Sequence, residues 1–457
     1  MKRDARQGSK QSASSREGAT RAEARASVSS SARTASQAAR TSSRITARAS
    51  AKRAAKKLRR ISLALFSVLV LALVGIVIYL TIPAPSQEVR ASTSFDESIN
   101  ARIIDTPQPE VDPVIRVSFA AVGDNLIHSQ LYNSGRNADG TLNYDHLYAH
   151  IAPYIQAVDV AFANQETVCG GVELGLSGYP SFNSPLEILD ALYKAGFDWI
   201  NTASNHIMDR GERGILNQLN RISTLPGLVQ TGSYASQSDA DTPTVIEVNG
   251  LRIGLASYTY GLNGYVLPAG KEYLVNLIDT DKIARDYARL KEVSDVQVVN
   301  MHWGDEYWNT PNQEQKNLAQ FLANLGYSVV IGEHPHVIQP TTMLTGSGGN
   351  QTLVIYSLGN LISSQDEAAR MLGEMACWTL CYNRETGTVS FEDVKIWPLV
   401  THYLSNMTVY ETYTLADYTN ELADIHAMKY RGLTREFLVN LAREVFGDEF
   451  TVVYEKP

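Results

Sequence analysis

The chain has 457 residues, 44% of them hydrophobic, and a formal net charge of −8. That length supplies core for one large domain or two medium ones, and excludes a small scaffold that depends on disulfide staples. Three cysteines, Cys169, Cys377 and Cys381, are too few for a disulfide framework and lack zinc-knuckle spacing.

Residues 1–60 hold seventeen Lys or Arg against three acids, a net of +14 that leaves −22 for the remainder. This arm is rich in Ser, Ala and Arg and nearly free of large apolar residues, so it cannot offset its ordering entropy and is predicted to be disordered. A charge run without aromatics reads as a solvated tail, its last ten residues drawn to anionic lipid, and not as a nucleic-acid arm. Ile61 to Ile82 then carries no charge over twenty-two residues. As a helix it would be about 33 Å long, matching a hydrocarbon core of about 30 Å. Arg59 and Arg60 abut its start, which places the amino terminus in the cytoplasm and the following chain outside. The run is too long, and too much chain precedes it, for a cleaved signal peptide. The expected topology is therefore a single-pass anchor in the cell membrane, with the bilayer as a partner. Residues 83–113 are polar and Pro-bearing, as a linker would be.

From Val114 strand-like and helix-like runs alternate. VIRVSFAAVGD reads as a strand ending in a turn, and PLEILDALYKAGF as a helix with Ile188, Leu189, Leu192 and Phe197 on one face. TVIEVNGLRIGLASY is a strand pair with a hairpin signal at Asn249-Gly250. A helix opens at Asp279 and another closes at Gly326; VQVVNMHWG, YSVVIGEH and TLVIYSLGN are strands. ACWTLCYN and VSFEDVKIWPLV read as later, antiparallel strands. Residues 114–400 are thus predicted to form an α/β domain with mixed sheets layered by helices, and 401–457 a helical extension.

Residue types that bind metals recur at the carboxyl ends of these strands, where open α/β sheets place their sites. Asp124 follows AAVG, Asn164 and Glu166 follow VAFA, and Asn205 and His206 follow INTAS. His302 follows VVNM, His334 and His336 follow VVIGE, and Asn360 follows VIYSLG. Singly, each has an ordinary explanation as a turn residue, a cap or a packed imidazole. Jointly they point to a metal centre. His-Pro-His on an extended segment would aim both rings the same way. Mixed imidazole, carboxylate and amide donors suit Zn, Mn or Fe and do not suit calcium. Two such ions, about 3.5–4 Å apart, activate water and polarise an ester or amide oxygen. No GxSxG elbow, Walker loop or GxGxxG is present.

The blocks GDNLIHSQ, ANQETVCGG, LEILDALYKAGFDWINTASNHIMDRGERGI, MHWGDEYWNTPNQEQKNLAQFLANLGYSVVIGEHPHVIQP and VIYSLGN resemble, in order, those of the CapA family of bacterial capsule synthesis. The resemblance covers about residues 115–365. It implies a role in making poly-gamma-glutamate or another anionic envelope polymer, beside other membrane subunits of that pathway. It also implies a metallophosphoesterase-like layered α/β sandwich of calcineurin type. By that resemblance Asp124, Glu166 (as bridging carboxylate), Asn205, His302, His334 and His336 would hold the metals. His206 would be the acid or transition-state donor, and His128, Asn164, Glu306 and Asn360 would stand around substrate or ligands. This sequence departs from the DxH, GD, GNH, H, GHxH pattern. His128 is four positions after Asp124, a glutamate stands where the bridging aspartate would, and Glu333 sits between Gly332 and the His pair. Two functions remain: a metal-dependent hydrolase of a phosphoester or amide, and a non-catalytic subunit that binds or exports polymer.

Overall fold

The computed structural model describes residues 112–407 and 409–456. The predicted arm, membrane span and linker through residue 111 lie outside these residues. Among the described residues no helix is long and apolar enough to cross a membrane.

Strand β1 (Val114–Asn125) explains the layering. It alternates, so Val117, Phe119 and Ala121 point into one core while Ala120 and Val122 point into another. A strand buried on both faces needs a layer above and a layer below.

Among the described residues fifteen strands form two mixed sheets. The first runs β14 (Tyr410–Thr414), β13 (Thr388–Tyr403), β12 (Leu372–Asn383), β1, β2 (Val160–Asn164), β3 (Trp199–Asn201) and β4 (Val229–Thr231). There β1 to β4 are parallel and β12 to β14 antiparallel. Short β11 (Asn360–Ile362) also pairs with β1, and β15 (Thr451–Val452) with β13. The second sheet runs β5 (Thr244–Val248), β6 (Leu251–Thr259), β7 (Val296–His302), β8 (Val329–Glu333), β10 (Gln351–Ile355) and β9 (Thr341–Thr345). Its four central strands are parallel and its two edges antiparallel.

Phe119, Phe162 and Trp199 of the first sheet meet Ile253, Val298 and Ile331 of the second, with Trp378 stacked on Phe119 at 5.1 Å. Each such buried side chain contributes on the order of 1.5–3 kcal/mol. The outer face of the second sheet is covered by α3 (Thr280–Val293) and α4 (Gln313–Leu325), through Ile283, Leu290, Leu318 and Leu322. The outer face of the first is covered by α1 (Glu187–Ala195) and α5 (Arg435–Phe446). A shorter helical contact comes from α2 (Gly211–Ile222), whose Ile222 joins that core. The layers are thus helix, sheet, sheet, helix.

Local signals act as expected. Asp279 caps α3 by accepting from the Lys282 amide, and α4 opens on an Asn312–Gln315 capping box. The β5–β6 hairpin turns on Asn249 and Gly250, both at positive φ, with Val248 paired to Leu251. Cys377 and Cys381 share β12, and all three thiols are free.

Two expectations change. The final segment is helical only in part: helices span Asn420–Ile425 and Arg435–Phe446, but β13 passes through residue 400, β14 adds a strand, and Leu438, Ala442 and Phe446 of α5 complete the first sheet's outer core. The antiparallel pairing of β13 with β14 supplies the reason, since a long strand leaves an edge that the next segment covers. The His-Pro-His segment is also not extended. His334 and His336 have φ of 96° and 58°, so a tight left-handed turn, and not a pleat, brings the rings together.

Candidate metal centre

The parallel strands of both sheets end on one side of the sandwich, and their last residues meet there. Asp124 comes from β1, Asn164 and Glu166 from the end of β2, His302 from β7 and Glu333 from β8. Asn205 and His206 follow β3, and His334 and His336 follow β8. Asp124 sits where β1 closes against the backbone before β11: its amide donates to the Gly359 carbonyl at 2.8 Å. A Cβ on Gly123 would overlap that carbonyl oxygen, so only glycine lets the two backbones approach.

Two sets of donors converge. Glu166, His334 and His336 each bring one ligand atom within 4.8 Å of one another, and Asp124, His302 and Glu333 do the same. All six are buried. The sets are joined by contacts: Glu166 Oε1 lies 3.8 Å from His302 Nε2 and 3.6 Å from His336 Nε2, while Asp124 Oδ2 lies 2.9 Å from His336 Nδ1. Either carboxylate therefore spans both groups. Asn164 donates to Asp124 Oδ1 at 2.8 Å and accepts from Asn201 at 2.8 Å, fixing the aspartate. Asn205 Oδ1 stands 3.0 Å from His302 Nε2.

Burial lowers the His302 imidazole well below its usual value, with the His334 and His336 rings adding to the effect, and lowers His334 likewise. Burial first, then Asp124 and Glu306, pushes the Glu166 carboxyl well up; burial and Asp124 do so for Glu333. Both Glu166 oxygens, Glu333 Oε2 and His334 Nδ1 are buried without a hydrogen-bond partner. Leaving such groups unpartnered costs about 1–3 kcal/mol each. Imidazoles beside carboxylate oxygens that no protein donor meets are what a divalent transition metal takes, and the residues present fit it.

Around this centre the other expected residues divide. His206 is oriented by Asp209, whose Oδ2 lies 2.8 Å from His206 Nδ1 and also accepts from the Phe182 amide at 2.6 Å. Its ring packs edge-on against Phe182 at 4.6 Å. His128 packs on the same Phe182 ring at 5.3 Å, with Nδ1 3.1 Å from the Leu126 carbonyl. Burial lowers it to about 4. It belongs to neither donor set. Asn360 is buried and donates to the carbonyls of His336 and Arg370 at 3.2 and 2.9 Å, so it braces the turn. Glu306 is exposed at the rim, beside the Tyr307 hydroxyl.

Sequence reasoning missed Glu333 as a donor, although it closes VVIGE one residue before the His pair. It also missed Tyr260, whose half-exposed ring lies 4.6 Å from His334 and 6.3 Å from His302. A tyrosine just past a strand carries no signal of its own.

The layered sandwich and its buried imidazole–carboxylate cluster define the chain as an α/β protein with a candidate two-metal centre. The model of the family described as "Bacterial capsule synthesis protein PGA_cap" matches residues 118–365, and the chain belongs to that family. It is 32% identical over 189 residues to "PGA biosynthesis protein CapA" of Bacillus subtilis (strain 168), covering 39% of this chain and 46% of that one. It is 27% identical over 269 residues to "Capsule biosynthesis protein CapA" of Bacillus anthracis, covering 55% and 60%. The chain thus spans about half the length of these relatives. Among solved structures, a phosphatase from Mycoplasma pneumoniae is 13% identical with a TM-score of 0.39, covering 63% of this chain and 94% of that one. A 5'-nucleotidase precursor from Thermus thermophilus is 13% identical with a TM-score of 0.40, covering 72% and 59%.

Proposed function

We propose that this chain is a membrane-anchored, extracytoplasmic hydrolase of capsule or envelope-polymer synthesis that depends on divalent Zn, Mn or Fe. It would cleave a phosphoester or an amide of an anionic polymer. The observation that carries this reading is the pair of donor triads, with Glu166, Glu333 and His334 presenting buried atoms that no protein group satisfies.

Bound divalent ions would supply Lewis acidity and an activated water. Asp124, Glu166, His302, Glu333, His334 and His336 would hold them, with Asn205 as an amide oxygen beside His302. His206, held by Asp209, would keep a proton at Nε2 for the leaving group. Tyr260 covers the His302 and His334 rings and limits water there. The uncharged run Ile61–Ile82 after Arg59 and Arg60 supports the anchor and the outward domain. Bilayer lipid, the anionic polymer and other capsule-synthesis subunits would then be the partners.

The test is turnover of bis-p-nitrophenyl phosphate and of a gamma-glutamyl amide by purified, metal-loaded protein. Hydrolysis of either class, lowered about 100-fold or more in His206→Ala with metal content unchanged, is the expected result. No turnover of either above metal in buffer sinks the hydrolase and leaves the polymer-binding or export subunit, a reading the family description, capsule synthesis, favours.

A further inference from the structure

The rim of the centre carries a cation that the chemistry above does not use. Arg370 lies in the loop between β11 and β12, with its guanidinium carbon 3.7 Å from the centre of the Tyr307 ring. The Tyr307 ring is 6.0 Å from that of His336. The two separations put the guanidinium no farther than about 10 Å from the His336 imidazole.

Both partners are tied to the His334–His336 turn. The Tyr307 amide donates to the Pro335 carbonyl at 2.7 Å, and Tyr307 holds a positive φ of 69°. The Arg370 carbonyl accepts from Asn360, which also donates to the His336 carbonyl. A bulky residue held in a left-handed conformation marks a position that its surroundings over-determine. The ring is a fixed platform and the guanidinium is laid across it.

The guanidinium is not spent on the protein. Among the described residues it donates no hydrogen bond, and its paired carboxylate, Asp366, stands 3.9 Å away. Asp366 is instead held by Arg431 at 2.9 Å. Arg370 is mostly buried, its side chain 22% exposed. By contrast Arg210, next in the chain to Asp209, is committed to Ser177, Ser181 and the Asp209 carbonyl. A guanidinium stacked on an aromatic face keeps its planar N–H edge for a bidentate oxyanion. It does so beside a centre where bound divalent ions would draw the other end of an anionic substrate.

We propose that Arg370, stacked on Tyr307, is the anchor for an oxyanion of the substrate, a carboxylate or a phosphate group standing off the bond at the metal ligands. The proposal rests on the reading of the pocket as a substrate-binding metal centre. It makes the substrate an anion at a second position and assigns Arg370 to binding.

Calorimetric titration of the metal-loaded full chain with glutarate and, separately, with inorganic phosphate tests this. Wild type should bind at least one of them, and Arg370→Gln should weaken that binding about tenfold or more. Metal content and Tm should not change, and Arg370→Lys should fall between, keeping charge without the planar fork. Preference for glutarate assigns the anchor to a carboxylate, and preference for phosphate to a phosphoryl group. Equal affinity in wild type and Arg370→Gln, or no binding of either probe by wild type, overturns the proposal. If Arg370→Gln loses affinity while wild type hydrolyses nothing, the anchor stands and the hydrolase reading falls.

Discussion

The chain buries two groups of histidines, and their difference shows what distinguishes a ligand set from packing. In the carboxyl-terminal part, His402 Nδ1 lies 2.9 Å from the Tyr418 hydroxyl. His426 Nε2 lies 2.9 Å from the Thr401 carbonyl, and its Nδ1 accepts from the Met428 amide at 2.8 Å. Those imidazoles sit among Tyr403, Tyr413 and Tyr418 and are satisfied by neutral partners. At the strand ends, His302, His334 and His336 converge on Glu166, Asp124 and Glu333, and several of those atoms are satisfied by nothing in the protein. Burial is common to both groups. Unsatisfied mixed donors are not.

The comparison breaks most readily at Glu166. Glu166→Gln and Glu333→Gln should each lower metal affinity and any activity by about 100-fold or more, beyond what loss of an outer hydrogen bond does. Metal-free Glu166→Gln should nonetheless be as stable as metal-free wild type or more so, because it removes a buried unpaired carboxyl. Thermal unfolding with and without chelator checks both. A metal-free protein destabilised by the substitution would mean that Glu166 is structural.

Glu374 sharpens the contrast as a buried carboxyl without imidazoles. It accepts from Thr341 at 3.1 Å, while its other oxygen has no partner. Burial raises it from 4.5 to about 8. The folded state therefore keeps a proton that the unfolded chain releases above about 4.5. The associated stability is fully present below pH 4.5, declines as pH rises, and is lost through about pH 8. The decline amounts to a few kcal/mol at ~1.4 kcal/mol per unit. Glu374→Gln should flatten that slope in denaturant titrations at pH 5 and pH 8, with metal content unchanged. An identical slope would mean that this carboxyl does not titrate with folding.

The smallest effect belongs to the satisfied group. His402→Ala should cost about 1–3 kcal/mol, the loss of a buried hydrogen bond and its packing, and leave metal content untouched. Loss of metal in that variant would erase the distinction drawn between the two groups.

Much of this was legible in the chain. VIRVSFAAVGD could be read as a strand, and Asn249-Gly250 as the turn joining the β5–β6 pair, because strand-type runs and left-handed turns are local properties. Asp124, Glu166, His302, His334 and His336 could be placed at strand ends for the same reason. The turn at His334 and His336 was not legible, since it is seated on partners far away in the chain, the His334 amide donating to Asp124 across 210 residues. Glu333 read as a strand residue because its convergence with Asp124 and His302 joins two sheets. The strand β14 (Tyr410–Thr414) was hidden because what holds it is its pairing with β13 and not its own pattern. The role of Arg370 needed the Tyr307 ring, which comes from a loop 63 positions earlier.

Whether the unsatisfied cluster holds metal is read by elemental analysis of purified wild-type chain and of His334→Ala/His336→Ala. Close to two transition-metal ions per wild-type chain are expected, lost in the double variant while the fold persists. A folded wild-type protein that holds no stoichiometric metal after loading with Zn or Mn would contradict it.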